Sequence, residues 1–345
     1  MRKAILLLTA ALLLTGQPAL PEREEPEAAA DCAVLMGPEG QILWEKSADR
    51  RCLIASTTKL MTALVVLEHA EPEENVQISA ACCGIEGSSM YLAEGEHYSV
   101  RELLQGLLLA SGNDAAEALA LHCAGSEAAF VAWMNEKARD LGMTNSHFAN
   151  PHGLDAPEHY GCAADLGRLM LECMNCRVLA EILGTGTAEI REQCYVNHNK
   201  LLWSCPGCLG GKTGYTRAAG RCLVSCCERE GTRLVCVTLS DPEDWEDHKA
   251  LYDWGFGHYA TRNVTRSLNY VLPVSGGSRD SVRLAADPLP LFLPKDAVLR
   301  LRIELPRFVL PPIRAGETAG RVTVLREGEV LGEAALRFCE GVPAG

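Results

Sequence analysis

Ser56-Thr57-Thr58-Lys59 sets a hydroxyl and an amine three residues apart, which on a helix puts both on one face, a turn from each other. Serine is a weak nucleophile until a base takes its proton. Lysine acts as that base only when uncharged, and burial, a helix N-terminus and a second nearby cation each favour the uncharged form. The same helix end would present backbone N–H groups to the oxyanion formed when the serine attacks a carbonyl. Taken alone, the quartet equally fits an N-cap serine followed by a surface lysine.

Two more triplets narrow the chemistry. Ser111-Gly112-Asn113 falls between two helical patterns, where the glycine permits a tight turn and the two polar side chains face whatever lies opposite. The Ser111 hydroxyl can relay a proton, and the Asn113 amide has groups for both the lysine and a substrate carbonyl. Lys212-Thr213-Gly214 follows Gly210-Gly211 at the expected edge of a sheet. An edge strand can pair with an extended substrate, Gly214 allows close approach, and Lys212 with Thr213 can bind a carboxylate. Lys212 would also be the second cation that lowers the proton affinity of Lys59. Singly, these triplets read as a helix cap and a turn into a strand.

The order S-x-x-K, S-x-N, K-T-G at 56, 111 and 212 is far more specific than any one member, and it resembles the low-molecular-mass penicillin-binding proteins, the serine-type D-alanyl-D-alanine carboxypeptidases of peptidase family S11. The resemblance runs from Asp31 to about Leu336 and includes Ala55-Ser-Thr-Thr-Lys-Leu-Met-Thr62, Ser111-Gly-Asn-Asp-Ala115, Phe148-Ala-Asn-Pro-His-Gly-Leu-Asp155 and Gly211-Lys-Thr-Gly-Tyr-Thr216. A terminal β domain is matched by Pro311-Pro-Ile-Arg-Ala-Gly316 and Ala319-Gly-Arg-Val-Thr-Val-Leu325. The resemblance implies that Ser56 is acylated by the penultimate D-Ala carbonyl of a peptidoglycan stem peptide and that β-lactam antibiotics acylate it as substrate mimics. By the same resemblance Lys59 is the base, Ser111 and Asn113 complete the site, and Lys212 and Thr213 hold the substrate carboxylate. The N–H groups of Ser56 and Tyr215 would form the oxyanion hole beside Gly214. Some members carry an arginine before the last helix of this domain. Here that stretch is Asp241-Pro-Glu-Asp-Trp-Glu-Asp-His248, leaving Arg217 and Arg221 as candidate substitutes. No cofactor or metal is expected.

A β-lactamase shares the serine and lysine, but class A enzymes also place a Glu-x-x-x-Asn pattern after the second motif. No asparagine between residues 114 and 211 has a glutamate four positions earlier. A catalytically silent wall-binding or sporulation protein is the other alternative, and the intact Ser56, Lys59, Ser111, Asn113 and Lys212 argue against it.

The elements that must position these groups can be read from periodicity. Cys32–Met36 and Ile42–Trp44 read as a hairpin around Gly37-Pro38-Glu39-Gly40. Helical patterns start near Ser56, at Ser99 with Glu102 three residues on as a capping box, and near Asp114. More helices are expected at 126–141, 164–183 and 244–253. Leu223-Val224 and Leu234–Leu239 flank a Glu228–Gly231 turn as antiparallel strands. Strands at both ends of a helical middle give an α+β plan whose terminal segments share one sheet, and the family resemblance implies that this is a penicillin-binding/β-lactamase-like domain with an antiparallel sheet, flanking helices and a helical subdomain. Short strands at 268–273, 298–304, 321–326 and 329–337 form a small all-β domain. The expected division is a signal peptide at 1–20, a linker at 21–30, a catalytic domain at 31–262 and the β domain at 263–345.

Arg2 and Lys3 precede the apolar run Ala4–Leu14, followed by Thr15, Gly16, Gln17, Pro18 and Ala19, the order of a secretory signal. The run falls short of the roughly 20 residues that span a bilayer. Export to the cell-wall side of the membrane follows, with an uncleaved N-terminal segment as the expected route to membrane association, since Phe338–Gly345 is too short and acidic for an amphipathic anchor. With 32 Lys and Arg against 45 Asp and Glu, the net charge is −13, and such a surface repels nucleic-acid phosphates. The 16 cysteines include adjacent pairs and thiols scattered through apolar segments, which fits small buried hydrophobes better than a disulfide framework. Cys173-x-x-Cys176 and Cys205-x-x-Cys208 resemble a zinc ribbon, but the first pair lies in a helical pattern. His152, His159 and Asp165 are expected to serve loop packing.

Overall fold

The computed structural model describes Ile5–Leu8 and residues 25–344. It forms two compact units, one built from Glu24–Gly257 and the other containing His258–Gly345. The boundary expected at 262/263 falls instead before strand Tyr259–Asn263, because that strand pairs with Pro290–Pro294.

The first unit is organised by a five-stranded antiparallel sheet in the order Ile42–Lys46, Cys32–Met36, Thr232–Leu239, Gly220–Arg229, Cys208–Thr216. Cys32–Met36 is buried along its whole length, since alternate side chains enter cores on opposite faces of the sheet. On one face Gly167 of helix Ala163–Asn175 meets Val34 and Met36. On the other, a Cβ at Gly255 of helix Asp244–His258 would lie 2.7 Å from Leu35 and 2.8 Å from Leu234. That close packing explains why this helix continues beyond the expected end at 253: Gly255 lets it approach the sheet and does not terminate it.

The helical middle contains Lys59–His69, Val100–Leu109, Asn113–Ala124 and Glu127–Asp140. The capping box is present, with Ser99 Oγ accepting from Glu102 N and Glu102 accepting from Ser99 N. The single helix expected at 164–183 is two, Ala163–Asn175 and Arg177–Leu183. Cys176 turns extended at φ −80° and ψ 111°; its N–H closes the first helix on Glu172 and Cys173, and its carbonyl accepts from Ala180 N to start the second. Two small hairpins, Asn75–Gln77 with His97–Ser99 and Thr187–Ile190 with Gln193–Val196, were not anticipated, because three or four residues are too few to show a period of two.

The end of the expected linker belongs to this unit. Ala28 and Ala30 are buried, and Asp247 Oδ2 accepts from Ala29 N at 2.6 Å and Ala30 N at 3.2 Å. The signal-peptide expectation lies outside the described residues except for Ile5–Leu8, whose backbone pairs antiparallel with Arg300–Pro306. In the second unit, that pair continues through Thr318–Arg326, Glu329–Phe338, Ser281–Ala286 and Asn269–Pro273. Strands Tyr259–Asn263, Ser281–Ala286 and Pro290–Pro294 are additional to those expected from sequence. Among the described residues, no helix is long and apolar enough to cross a membrane.

Candidate active site

The first motif is built on a tight turn. Ala55 adopts φ 46°, an unusual conformation for a residue with a Cβ, and residues Ala55–Thr58 form a 3-10 turn leading into helix Lys59–His69. Thr57 Oγ1 donates to Ile54 O at 2.6 Å and Thr58 Oγ1 to Ala55 O at 2.8 Å, so the two threonines close the turn. In a 3-10 turn, residues three apart eclipse, and Lys59 Nζ lies 2.9 Å from Ser56 Oγ.

Lys59 is fully buried. Its Nζ donates to Asn113 Oδ1 at 2.7 Å and to His152 O at 2.6 Å. Both oxygens only accept, and a neutral amine has two N–H groups and one lone pair. In the uncharged state those two hydrogens would be engaged and the lone pair would be left for the Ser56 hydroxyl, whereas a charged amine donates to all three oxygens. Burial pushes the Lys59 pKa well below its ordinary value, the charge of Lys212 pushes it further, and Asp114 partly opposes both.

Ser111 is buried with φ 63°, another left-handed residue held by its surroundings. Lys212 Nζ donates to Ser111 Oγ at 3.1 Å and to Thr213 O at 2.8 Å. Burial lowers the Lys212 pKa to about 7. Asn113 Nδ2 donates to Glu86 O at 2.5 Å, so one of its two amide hydrogens is already held by the loop opposite. The third motif lies on strand Cys208–Thr216 at the sheet edge. A Cβ at Gly214 would lie 3.0 Å from both Ser56 N and Ile54 O, which brings the edge strand against the turn that carries Ser56. Lys212 is buried, Thr213 half-buried, Gly214 buried and Tyr215 exposed. All eight residues expected from sequence therefore fall on these three adjoining segments.

The family profile of the D-alanyl-D-alanine carboxypeptidases, S11, matches residues 20–243. The chain belongs to this family. It is 31% identical over 313 residues to D-alanyl-D-alanine carboxypeptidase DacF of Bacillus subtilis, covering 85% of this chain and 80% of that one. It is 38% identical over 229 residues to D-alanyl-D-alanine carboxypeptidase DacB2 of Mycobacterium tuberculosis, covering 63% and 78%. Among solved structures, penicillin-binding protein 5 of Haemophilus influenzae superposes with TM-score 0.72 at 29% identity, over 93% of this chain and 99% of that one. The α+β penicillin-binding fold and the serine-type carboxypeptidase activity expected from the motifs are those of the family.

In this S11 carboxypeptidase, several groups that shape the site were not anticipated as such. The His152 carbonyl on Lys59 is a backbone group with no side-chain signature. Asp114 is buried and accepts from Ser89 Oγ, Met90 N and Leu92 N at 2.6, 2.9 and 3.1 Å, fastening the loop that holds Asn113. His159, expected to serve packing, is 2.8 Å from Thr58 Oγ1 through Nε2 and accepts from Ala149 N at Nδ1, so it braces the turn from below. Asp165 accepts from Asn145 N, Ser146 Oγ and Arg168, a packing role. Of the substitute arginines, Arg221 is held by both carboxylate oxygens of Asp244 at 2.5 and 3.1 Å, and Arg217 is exposed. Cys173 donates into the core to Leu60 O at 3.7 Å, whereas Cys205 Sγ neighbours Cys227 Sγ at 3.8 Å. No group of three or more His, Cys, Asp or Glu suited to a metal ion occurs among the described residues.

Gly153 permits the loop that delivers the His152 carbonyl. Its φ is +91°, and a Cβ there would lie 2.0 Å from Ala55 O. Gly153→Ala is expected to destabilise the chain by about 3 kcal/mol or more and to slow acylation by at least about tenfold, read by urea unfolding and penicillin labelling. An unchanged midpoint would show that the loop does not rely on this contact.

Proposed function

We propose that Ser56 is the nucleophile of a carboxypeptidase that removes the terminal D-Ala from peptidoglycan stem peptides on the cell-wall side of the membrane. Lys59, uncharged, takes the Ser56 proton as the hydroxyl attacks the penultimate D-Ala carbonyl. The developing oxyanion is held by the N–H groups of Ser56 and Tyr215, a contribution typically worth about 10²–10³ in rate. The proton passes to the departing amine through Ser111, whose hydroxyl accepts from Lys212. The C–N bond breaks, D-Ala leaves, and water attacks the Ser56 ester to release the shortened peptide. Lys212 and Thr213 bind the terminal carboxylate, while Asn113 orients Lys59 and offers its remaining amide hydrogen to the substrate. A β-lactam acylates the same serine, since its carbonyl and carboxylate occupy the same two places.

The observation that carries this reading is the contact of the buried Lys59 Nζ with Ser56 Oγ at 2.9 Å, the amine being fixed there by Asn113 Oδ1 at 2.7 Å and His152 O at 2.6 Å. A paired assay tests it: labelled benzylpenicillin should form a covalent adduct at Ser56, and the same preparation should release D-Ala from a peptide ending in D-Ala-D-Ala. Adduct formation without D-Ala release would remove the hydrolytic half of the reading. An N-terminal signal removed on export completes the proposal, tested by the N-terminal residue of the protein recovered outside the cytoplasm.

A further inference from the structure

We infer that Cys32 and Cys52 are a covalent modification site, a thiol pair that a low-molecular-weight disulfide converts into a bridge between the central sheet and the segment leading to the nucleophile's turn. This inference is independent of the roles assigned to Ser56 and Lys59. The two Sγ atoms lie 3.3 Å apart, and a bond of about 2.05 Å requires only about 1.3 Å of closure. The thiols sit on separately anchored segments. Cys32 opens strand Cys32–Met36, and Cys52 exchanges backbone hydrogen bonds with Gly161 at 2.8 and 3.0 Å.

Their surroundings divide the work. Cys32 is fully buried and Cys52 is half-buried, so an external disulfide meets Cys52 first. Arg50 Nε donates to Cys32 Sγ at 3.0 Å. Burial raises the Cys32 pKa to about 11, while Arg50 works in the opposite direction. The guanidinium thus favours the thiolate at the moment Cys32 is called on to resolve a mixed disulfide. By contrast, Cys205 and Cys227 are 3.8 Å apart and both buried, with the half-buried Cys208 also hydrogen-bonded to Cys227, so a Cys205–Cys227 bridge needs the larger closure, about 1.8 Å.

The chemistry balances with oxidised glutathione as the oxidant. The Cys52 thiolate attacks one glutathione sulfur, forming a mixed disulfide and expelling one glutathione thiolate. Cys32, its proton lost to water, attacks the Cys52 sulfur and expels the second. The pair loses two electrons and two protons, and one glutathione disulfide becomes two thiols. The bridge spans 20 residues of sequence, so it constrains the unfolded chain more than it disturbs the fold.

The test uses the reduced full-length chain, oxidised with glutathione disulfide, alkylated and mapped by peptide mass. The first intrachain bridge should link Cys32 to Cys52, and the melting temperature should rise by roughly 5–10 °C, a rise that Cys52→Ser abolishes. Cys32→Ala should instead trap glutathione on Cys52 as a stable mixed disulfide, a product that a purely structural thiol would not yield. Recovery of both cysteines fully alkylated after other thiols have bridged would overturn the inference, as would failure of the folded Cys32→Ala chain to retain glutathione at Cys52.

Discussion

Ser56→Ala is expected to lower the rate of acylation by labelled benzylpenicillin by about 10⁴-fold or more, and D-Ala release by the same factor. In the proposed mechanism the hydroxyl is the group that forms a bond to substrate, and what survives its loss in serine hydrolases is the residual rate from binding and oxyanion stabilisation. Stability should hardly change, because the Ser56 side chain is half-buried and its close contact is Lys59. The alanine chain should therefore bind penicillin without retaining it through denaturation. A covalent adduct that forms at the wild-type rate would move the nucleophile elsewhere.

Lys59→Met is the second large effect, an expected loss of about 10³- to 10⁴-fold in acylation with the serine still present. Lys59→Arg should not rescue it, since a guanidinium does not give up its proton in a protein. The pH profile separates the two lysines. As the proposed base Lys59 acts uncharged, so acylation is expected to rise as pH climbs through its lowered pKa. As the proposed carboxylate partner Lys212 acts charged, and burial lowers its pKa to about 7, so kcat/KM for the peptide is expected to fall again above that pH. Lys212→Arg, permanently charged, is expected to flatten the alkaline limb and leave the acid limb in place. The sign for stability follows from the same shift. The unfolded chain keeps the Lys212 proton up to about 10.5 while the folded chain releases it near 7, so the fold gains stability as pH rises between those values.

The candidate site residues could be picked out in sequence because each motif is short enough to sit in one local element. Ser56 and Lys59 share a turn, Ser111 and Asn113 flank one glycine, and Lys212 to Tyr215 are consecutive on one strand. What sequence could not give was the third dimension of the Lys59 site. The His152 carbonyl reaches Nζ from a loop far along the chain, and every residue carries a carbonyl. Asp114 was visible within the second motif, but its partners at Ser89, Met90 and Leu92 lie on a loop with no periodicity. In the fold, the central strands stood out because burial on both faces makes them continuously apolar. The break at Cys176 and the passage of a helix through Gly255 did not, because both are decided by contacts with neighbouring elements rather than by local preference.

The protonation state of Lys59 is the point on which the account stands. Carbon-13 labelling at lysine Cε, with the Lys59 resonance assigned by its absence in Lys59→Arg, follows that state directly through a pH titration. The account predicts a resonance that titrates far below the ordinary lysine value of about 10.5 and shifts upward in Lys212→Met, where the neighbouring charge is gone. A Lys59 resonance that stays protonated up to pH 10 would contradict it.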